Sequence, residues 1–367
     1  MTNQAVAGIL LAALTLAGSA SGQMERIKVS GTSFVRESSG RPFAPWGFNY
    51  DRDARGRLIE DYWEHEWSTI EDDFREMKTL GANVVRIHLQ FGRFLPEPDR
   101  PDTANLERLE RLVALAERTG LYLDLTGLGC YHKPAVPKWY DALDEAGRWA
   151  AQARFWREIA GRCSRSPAVF CYDLMNEPVV PGGKDDAGDW LGKGPGFGGK
   201  YYVQKISLDR AGRPRTEVAR RWLVTLRDAV RERDRRTPIT VGLVDWSLDR
   251  PGALFSGITP QVAANLLDFV CVHLYPHAGK VQEALDTLKQ FALGKPVVVE
   301  ETFPLACSIA ELDRFVQGSR PTAAGVIGFY WGQTPEQLQK PASIGDAITR
   351  DWLEYFKKTA KPSDSRK

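Results

Sequence analysis

The chain is short of the residues that hold metals or staple small domains: 5 histidines and 5 cysteines among 367 residues. Cys130, Cys163, Cys171, Cys271 and Cys307 fall at no metal-ligand spacing, and their odd number leaves at least one unpaired. A disulfide is open to an exported chain, but nothing in the spacing selects a pair. Cys171 and Cys271 sit inside apolar runs and read as core residues. No excess of one charge is present either. The formal net charge of +2 excludes nucleic acid as the main partner, because phosphate binding needs a clustered basic surplus. The densest basic run, residues 231–236, is interleaved with Glu232 and Asp234 and reads as the solvated end of a helix. Beyond residue 22 there is no apolar run long enough to cross a membrane.

The first 22 residues differ in kind. Residues 6–18 are apolar but short for a bilayer span, and the small residues Ser19, Ala20, Ser21 and Gly22 follow. This is the pattern of a signal peptide, cleaved near Ser21 or Gly22, which predicts a secreted or periplasmic protein. The segment carries no Lys or Arg, so an N-terminal membrane anchor is the alternative.

What is present is apolar material for a large core, 43% of the chain, arranged in an alternation. Short β-rich runs are predicted at 43–49, 83–89, 121–126, 169–176, 239–245, 269–275, 297–301 and 326–331. Amphipathic stretches separate them at 67–80, 106–119, 145–162, 216–234, 261–266, 281–293 and 309–317, with a last helix at 350–358. Gly81, Gly120 and Gly294 follow helices where a C-terminal cap is expected. Eight strands alternating with helices predict an α/β protein with a parallel sheet. The first strand runs into Asn49-Tyr50-Asp51 and lacks the Gly-rich phosphate turn of an open doubly wound sheet. The prediction is therefore a (β/α)₈ TIM barrel over residues 23–360, with a short disordered tail at 361–367. A small hairpin, 27–35 and 40–43 around Ser-Ser-Gly, precedes it. Residues 179–215 after the fourth strand are far longer than an ordinary βα loop and carry Trp190, Phe197, Tyr201 and Tyr202. On the carboxyl face of a barrel such a loop shapes a binding cleft.

Barrel chemistry sits at the carboxyl ends of the strands. The second strand ends in Arg86-Ile87-His88, the fourth in Asn176-Glu177-Pro178 and the sixth in His273-Leu274-Tyr275. The seventh ends in Glu300-Glu301 and the eighth in Tyr330-Trp331. Ionisable groups there are costly unless paired or used. Two carboxylates across one mouth are what glycosidic cleavage needs, one to protonate the leaving oxygen and one to attack the anomeric carbon.

On these residues the chain resembles glycoside hydrolase family five, the cellulase and mannanase family of retaining barrel enzymes. The resemblance runs through Gly47-Phe48-Asn49, Arg86, residues 173–178, His273-Leu274-Tyr275, residues 295–301 and Trp331. It implies Glu177 as general acid/base, Asn176 as a contact to the sugar 2-hydroxyl, and Glu301 as nucleophile, five residues after Pro296. Strand alternation is read the same way: Val297, Val299 and Glu301 share a face, and Glu300 points to the helix layer unless the strand bulges. Arg86 near Glu301 would favour its charged form, Tyr275 would hydrogen-bond it, and Trp331 would offer the sugar an aromatic platform. Asn49 joins the substrate-binding set, while His88 and His273 read equally as rim residues or sugar contacts.

Two departures bear on the substrate. Thr302-Phe303-Pro304 replaces the usual aromatic and Gly after the nucleophile, and Thr126-Gly127-Leu128-Gly129 lacks a histidine that His132 could supply from the loop. A metal-dependent barrel hydrolase is disfavoured, since His273 and His277 lie across a Tyr-Pro turn; no metal or other cofactor is expected. A non-catalytic carbohydrate-binding barrel would be expected to have lost one carboxylate. A transglycosylase would share every catalytic residue. The predicted partner is a β-linked oligo- or polysaccharide, of glucan or mannan type, bound by a monomer.

Overall fold

The computed structural model describes residues 24–182, 189–191, 194–329 and 331–360. The expected leader and tail lie outside the described residues, as does Tyr330. The chain opens with β1 (Ile27–Ser30), β2 (Ser33–Arg36) and β3 (Pro42–Phe43), an antiparallel sheet. The expected hairpin is thus three strands. Gly31, at φ 60°, turns the chain between Ser30 and Ser33 and splits the first run in two. Phe34, fully buried, stands edge-on to Phe170 and Phe269 at 5.1 Å from each ring centroid. The sheet therefore plugs the amino end of the barrel. Phe34→Ala should cost about 3–5 kcal/mol in urea unfolding; a loss below about 1 kcal/mol would mean that this sheet is not part of the cooperative core.

Eight strands then form one sheet: β4 (Trp46–Tyr50), β5 (Val84–Gln90), β6 (Tyr122–Gly129), β7 (Val169–Asp173), β10 (Ile239–Thr240), β11 (Val270–His273), β12 (Val297–Glu301) and β13 (Gly325–Gly328). Its pairings are parallel, in the order β10-β7-β6-β5-β4-β13-β12-β11. A parallel bridge between Val244 and His273 joins the two ends, the His273 N–H donating to the Leu243 carbonyl at 2.7 Å. The barrel is closed, as the alternation predicted. Between β7 and β10 the long insertion forms a two-stranded parallel ribbon, β8 (Glu177–Val179) with β9 (Val203–Lys205).

The helices obey local rules. Thr103–Thr119 starts where the Asp102 side chain accepts from the Asn105 N–H and ends at Gly120, φ 66°. It buries Leu106, Leu109, Leu112, Val113, Leu115 and Ala116 along one stripe. No described helix is long and apolar enough to cross a membrane. All five cysteines are free thiols.

The face assignment on β12 is corrected. Val298 packs inside the barrel with Phe170, Phe269 and Ile327, whereas Val297 and Val299 belong to the core beneath the helices. By alternation Glu300 therefore faces the interior. Pairing with β11 slips between Val272 and His273, setting His273 opposite Glu301, and Glu301 turns to the mouth as well.

Candidate active site

Arg86, fully buried on β5, is the hub of the carboxyl mouth. Its Nη1 donates to Glu301 Oε1 at 2.5 Å and to Asn49 Oδ1 at 2.8 Å. Its Nη2 donates to Asp173 Oδ2 at 2.7 Å and to Asn176 Oδ1 at 3.0 Å. Burial opposes the charge on this guanidinium, but Glu300, Asp173 and Glu301 outweigh it and hold its pKa well above the usual arginine value. The second oxygen of Glu301 accepts from Tyr275 Oη at 2.7 Å. Burial first, then the charge of Glu301, keeps that phenol protonated and donating. One face of Glu301 is thus gripped at both oxygens.

Glu177 stands across the mouth, at the start of β8. One oxygen each of Glu177 and Glu301 and a ring nitrogen of His273 lie within 4.8 Å of one another. Glu177 is the more accessible of the two carboxylates, its side chain 16% exposed against 7%. His273 is buried and bridges carboxylates, with Nδ1 2.8 Å from Glu177 Oε1 and Nε2 3.3 Å from Glu300 Oε2. Burial disfavours its cation, yet Glu301 and the bonds to Glu177 and Glu300 prevail and lift its pKa from 6.5 to about 10. A raised histidine stabilises the fold fully below its unfolded pKa, and this contribution is lost as pH rises through about 10. Melting temperature should fall between pH 7 and pH 10 more steeply in the wild type than in His273→Gln; parallel slopes would refute a charged His273.

Two further layers hold these groups. His88 Nε2 lies 3.0 Å from Asn49 Oδ1 and Nδ1 lies 2.6 Å from Tyr131 Oη. Burial and the neighbouring Arg86 push its pKa well below 6.5, so the ring is neutral. Since Asn49 Oδ1 already accepts from Arg86, His88 donates through Nε2 and accepts the Tyr131 hydroxyl at Nδ1. Deeper in the barrel, Asp124, Asp173 and Glu300 place one oxygen each within 4.8 Å. Three buried carboxyls cannot all ionise beside one arginine. Burial and the charge of Glu300 raise Asp173 to about 7 and Asp124 well above the carboxylate range. Glu300 is pulled to about 2 because Arg86 and His273 overcome the penalty of its burial. The Cys271 thiol also donates to Glu300, at 2.9 Å, so this cysteine is more than a core filler.

Backbone geometry at β10 explains why the fifth strand is shorter than the apolar run 239–245. The Gly242 N–H donates to Asp173 Oδ1 at 2.9 Å and to the Met175 carbonyl at 3.1 Å, turning the chain around the residues that precede Glu177. A Cβ on Gly242 would stand 1.8 Å from the Asn176 carbonyl oxygen. Gly242→Ala should displace Asn176 and Glu177 and lower turnover by roughly 10²-fold. Unchanged turnover would mean that β10 can yield without disturbing them.

Asn49, Arg86, His88, Asn176, Glu177, His273, Tyr275 and Glu301 therefore converge in one network, and both histidines lie inside it rather than on the rim. Trp331 does not join as a platform. It is 1% exposed, and its ring packs edge-on to Phe48, 5.4 Å away, which in turn lies against Phe356 of the last helix. The indole belongs to the hydrophobic core that holds Phe48, Trp352 and Phe356. His132 is not in the network either; it lines a separate cavity of about 230 Å³ with Gln90 and Arg93. Tyr131, Asp124, Asp51 and Arg52 escaped the reading of the sequence as site residues, and Tyr202 was singled out there only as an aromatic of the cleft-shaping loop. Asp124 carried a signal, a carboxyl alone in the apolar strand Tyr122–Gly129, but the others gain meaning only from contacts across the mouth.

A family model described as Cellulase (glycosyl hydrolase family 5) matches residues 37–302. A protein described as "Probable glucan 1,3-beta-glucosidase A" from Aspergillus fumigatus is 30% identical over 139 residues, covering 33% of this chain and 32% of that one. The match thus spans about a third of the curated relative's length. Among solved structures, an exo-beta-1,4-mannosidase from Opitutaceae bacterium strain TAV5 superposes with TM-score 0.65 at 19% identity, over 91% of this chain and 62% of that one. A beta-mannanase from the blue mussel Mytilus edulis gives 0.64 at 16% identity, over 93% and 98%. At these identities the structural likeness shows the barrel fold.

Proposed function

The chain belongs to glycosyl hydrolase family 5, and from that premise we propose that it is a retaining β-glycosidase acting on β-linked oligo- or polysaccharides of glucan or mannan type. The observation that carries the reading is the closeness of Glu177 and Glu301, which bring one carboxylate oxygen each within 4.8 Å, too near to leave room between them for a water and a sugar ring. Retaining glycosidases hold their carboxyls about 5–5.5 Å apart, whereas inverting ones leave about 6.5–9.5 Å for a water.

Glu177 donates a proton to the glycosidic oxygen as the bond to the anomeric carbon breaks, and Glu301 attacks that carbon from the opposite face. A covalent glycosyl–Glu301 ester forms and the aglycone leaves with the proton. Glu177, now a carboxylate, takes a proton from water, whose oxygen displaces Glu301 and restores both groups. Arg86 and Tyr275 aim the attacking carboxylate and absorb its changing charge without reorganisation. Asn176, oriented by Arg86, gives one amide hydrogen to the Tyr202 carbonyl and offers the other to the sugar's 2-hydroxyl.

The test is the product anomer. Read by NMR within the first minutes of hydrolysis of an aryl β-glycoside, it should be β; an α product would end the retaining reading. Glu177→Ala should lose roughly 10²–10⁴-fold on substrates with poor leaving groups, with azide restoring turnover of activated aryl glycosides as the β-glycosyl azide. No azide rescue would remove Glu177 from the acid/base role.

A further inference from the structure

The insertion after β7 reaches across the rim. Tyr201 donates its N–H to the Tyr131 carbonyl beyond β6 at 3.1 Å. Lys200, 2% exposed, donates from Nζ to the Gly56 carbonyl beyond β4 at 2.7 Å. The Tyr202 hydroxyl donates to Asp51 Oδ2 at 2.9 Å, and Arg52 Nη1 donates to Tyr202 Oη at 2.7 Å and to Asp51 Oδ2 at 3.0 Å. Tyr202 also stands edge-on to Phe329, just past β13, with the Arg52 guanidinium 5.3 Å from the same ring. The strap is therefore tied to the ends of β6, β4 and β13 as well as to its root at β7. In the closed barrel that is one continuous arc, β13-β4-β5-β6-β7.

The chemistry says which end of a substrate meets this arc. A proton donor must lie beside the glycosidic oxygen, so the leaving group sits towards Glu177. Glu301, with its partners Arg86 and Asn49, marks the place of the attacked sugar, and the β4 exit adjoins it just beyond Asn49. Asp51 waits there, two residues beyond Asn49 and fully buried. Arg52 and Tyr202 hold one of its oxygens, while Oδ1, also buried, has no hydrogen-bond partner among the described residues. A buried acceptor left without a donor is costly unless a ligand supplies one. Beside Glu177 the insertion bounds, with Leu191, Tyr201, Tyr202 and Val203, a cavity of about 310 Å³. That is the lower end of the roughly 300–1,000 Å³ of a small-molecule pocket, and it lies on the side of the leaving group.

Resting on the glycosidase reading above, we propose that the enzyme works at chain ends. The strap blocks the passage a longer chain would need beyond the attacked sugar, which is thus the non-reducing terminus. Asp51, fixed by Arg52 and Tyr202, accepts hydrogen bonds from that sugar's hydroxyls remote from the scissile bond.

The test uses the full chain with hexasaccharides of β-1,4-glucan, β-1,3-glucan, β-1,4-mannan and β-1,4-xylan, each reduced to an alditol, and with the corresponding aryl β-monoglycosides. A free monosaccharide released together with the alditol-tagged pentamer from the first turnover supports the proposal, as does turnover of the aryl monoglycosides alone. Tagged di- or trisaccharides as first products would overturn it while leaving the glycosidase reading intact. Hydrolysis of none of these substrates would remove both. Asp51→Asn should raise KM for the aryl monoglycoside about tenfold and change kcat less. An unchanged KM would take Asp51 out of substrate binding. Tyr202→Ala, which unlocks the strap while keeping the backbone carbonyl that Asn176 uses, should add internal cleavage to the product pattern; an unaltered pattern would show that the strap is no barrier.

Discussion

Glu301→Ala is expected to lower kcat/KM on an aryl β-glycoside by roughly 10⁴–10⁶-fold, the loss expected on removal of a covalent nucleophile. The protein should still fold, because Arg86 keeps Asp173 and Glu300 as partners when Glu301 is gone. Azide should enter the vacated space and give the α-glycosyl azide, opposite in configuration to the product expected from Glu177→Ala. The same measurement separates the two adjacent carboxylates. A 2-deoxy-2-fluoro aryl glycoside should esterify Glu301, found by peptide mass mapping, and leave Glu300 unmodified. Labelling at Glu300 would reverse the assignment. Geometry supports the expectation: Glu300 is fully buried and committed to Arg86, His273 and Cys271, whereas Glu301 turns to the mouth beside Glu177.

Arg86→Met should cost about 3–5 kcal/mol in urea unfolding at pH 8, with activity lost as well. The guanidinium is the cation shared by Asp173, Glu300 and Glu301, and it orients Asn49 and Asn176. Without it, a buried negative charge on Glu300 has, among the described residues, only His273 to balance it. This fixes the sign of the pH effect. With Arg86 present, Glu300 has a pKa of about 2 and stays ionised across the working range. In the variant it is expected to take up a proton as pH falls, so the gap between variant and wild type should narrow from pH 8 to pH 5. A gap that stays constant, or one below about 1 kcal/mol at pH 8, would show that the barrel interior does not depend on this charge.

Much of the site could be read along the chain because it lies at strand ends. Asn176 and Glu177 follow an apolar strand, and Tyr275 and His273 straddle the end of another. Placing an ionisable group there costs too much to be incidental. The alternation of strands and helices, the eightfold count and the insertion after the fourth strand are also local properties. Each depends on periodicity and turn chemistry within a few residues, which survive into the fold unchanged. The strand at Val297–Glu301 was legible to the residue.

Which side of that strand faces inward was not. The run Val297-Val298-Val299 is apolar on both faces, as strands of a parallel barrel must be when helices cover one side and the interior fills the other. Alternation then says which residues share a face, but not which face is the interior. Only closure of the barrel, with its slip of register between β11 and β12, decided that both Glu300 and Glu301 turn inward. The same holds for Trp331, whose strand-end position suits a platform equally well as the packing it adopts against Phe48. It holds again for Tyr202, which meets Asp51 across 151 positions of sequence. The sequence by itself determined the barrel, the family and a pair of opposed carboxylates, because these rest on local patterns. The tertiary structure decided how that pair is held and what closes the rim, because such contacts join residues whose spacing in the chain carries no trace of their meeting.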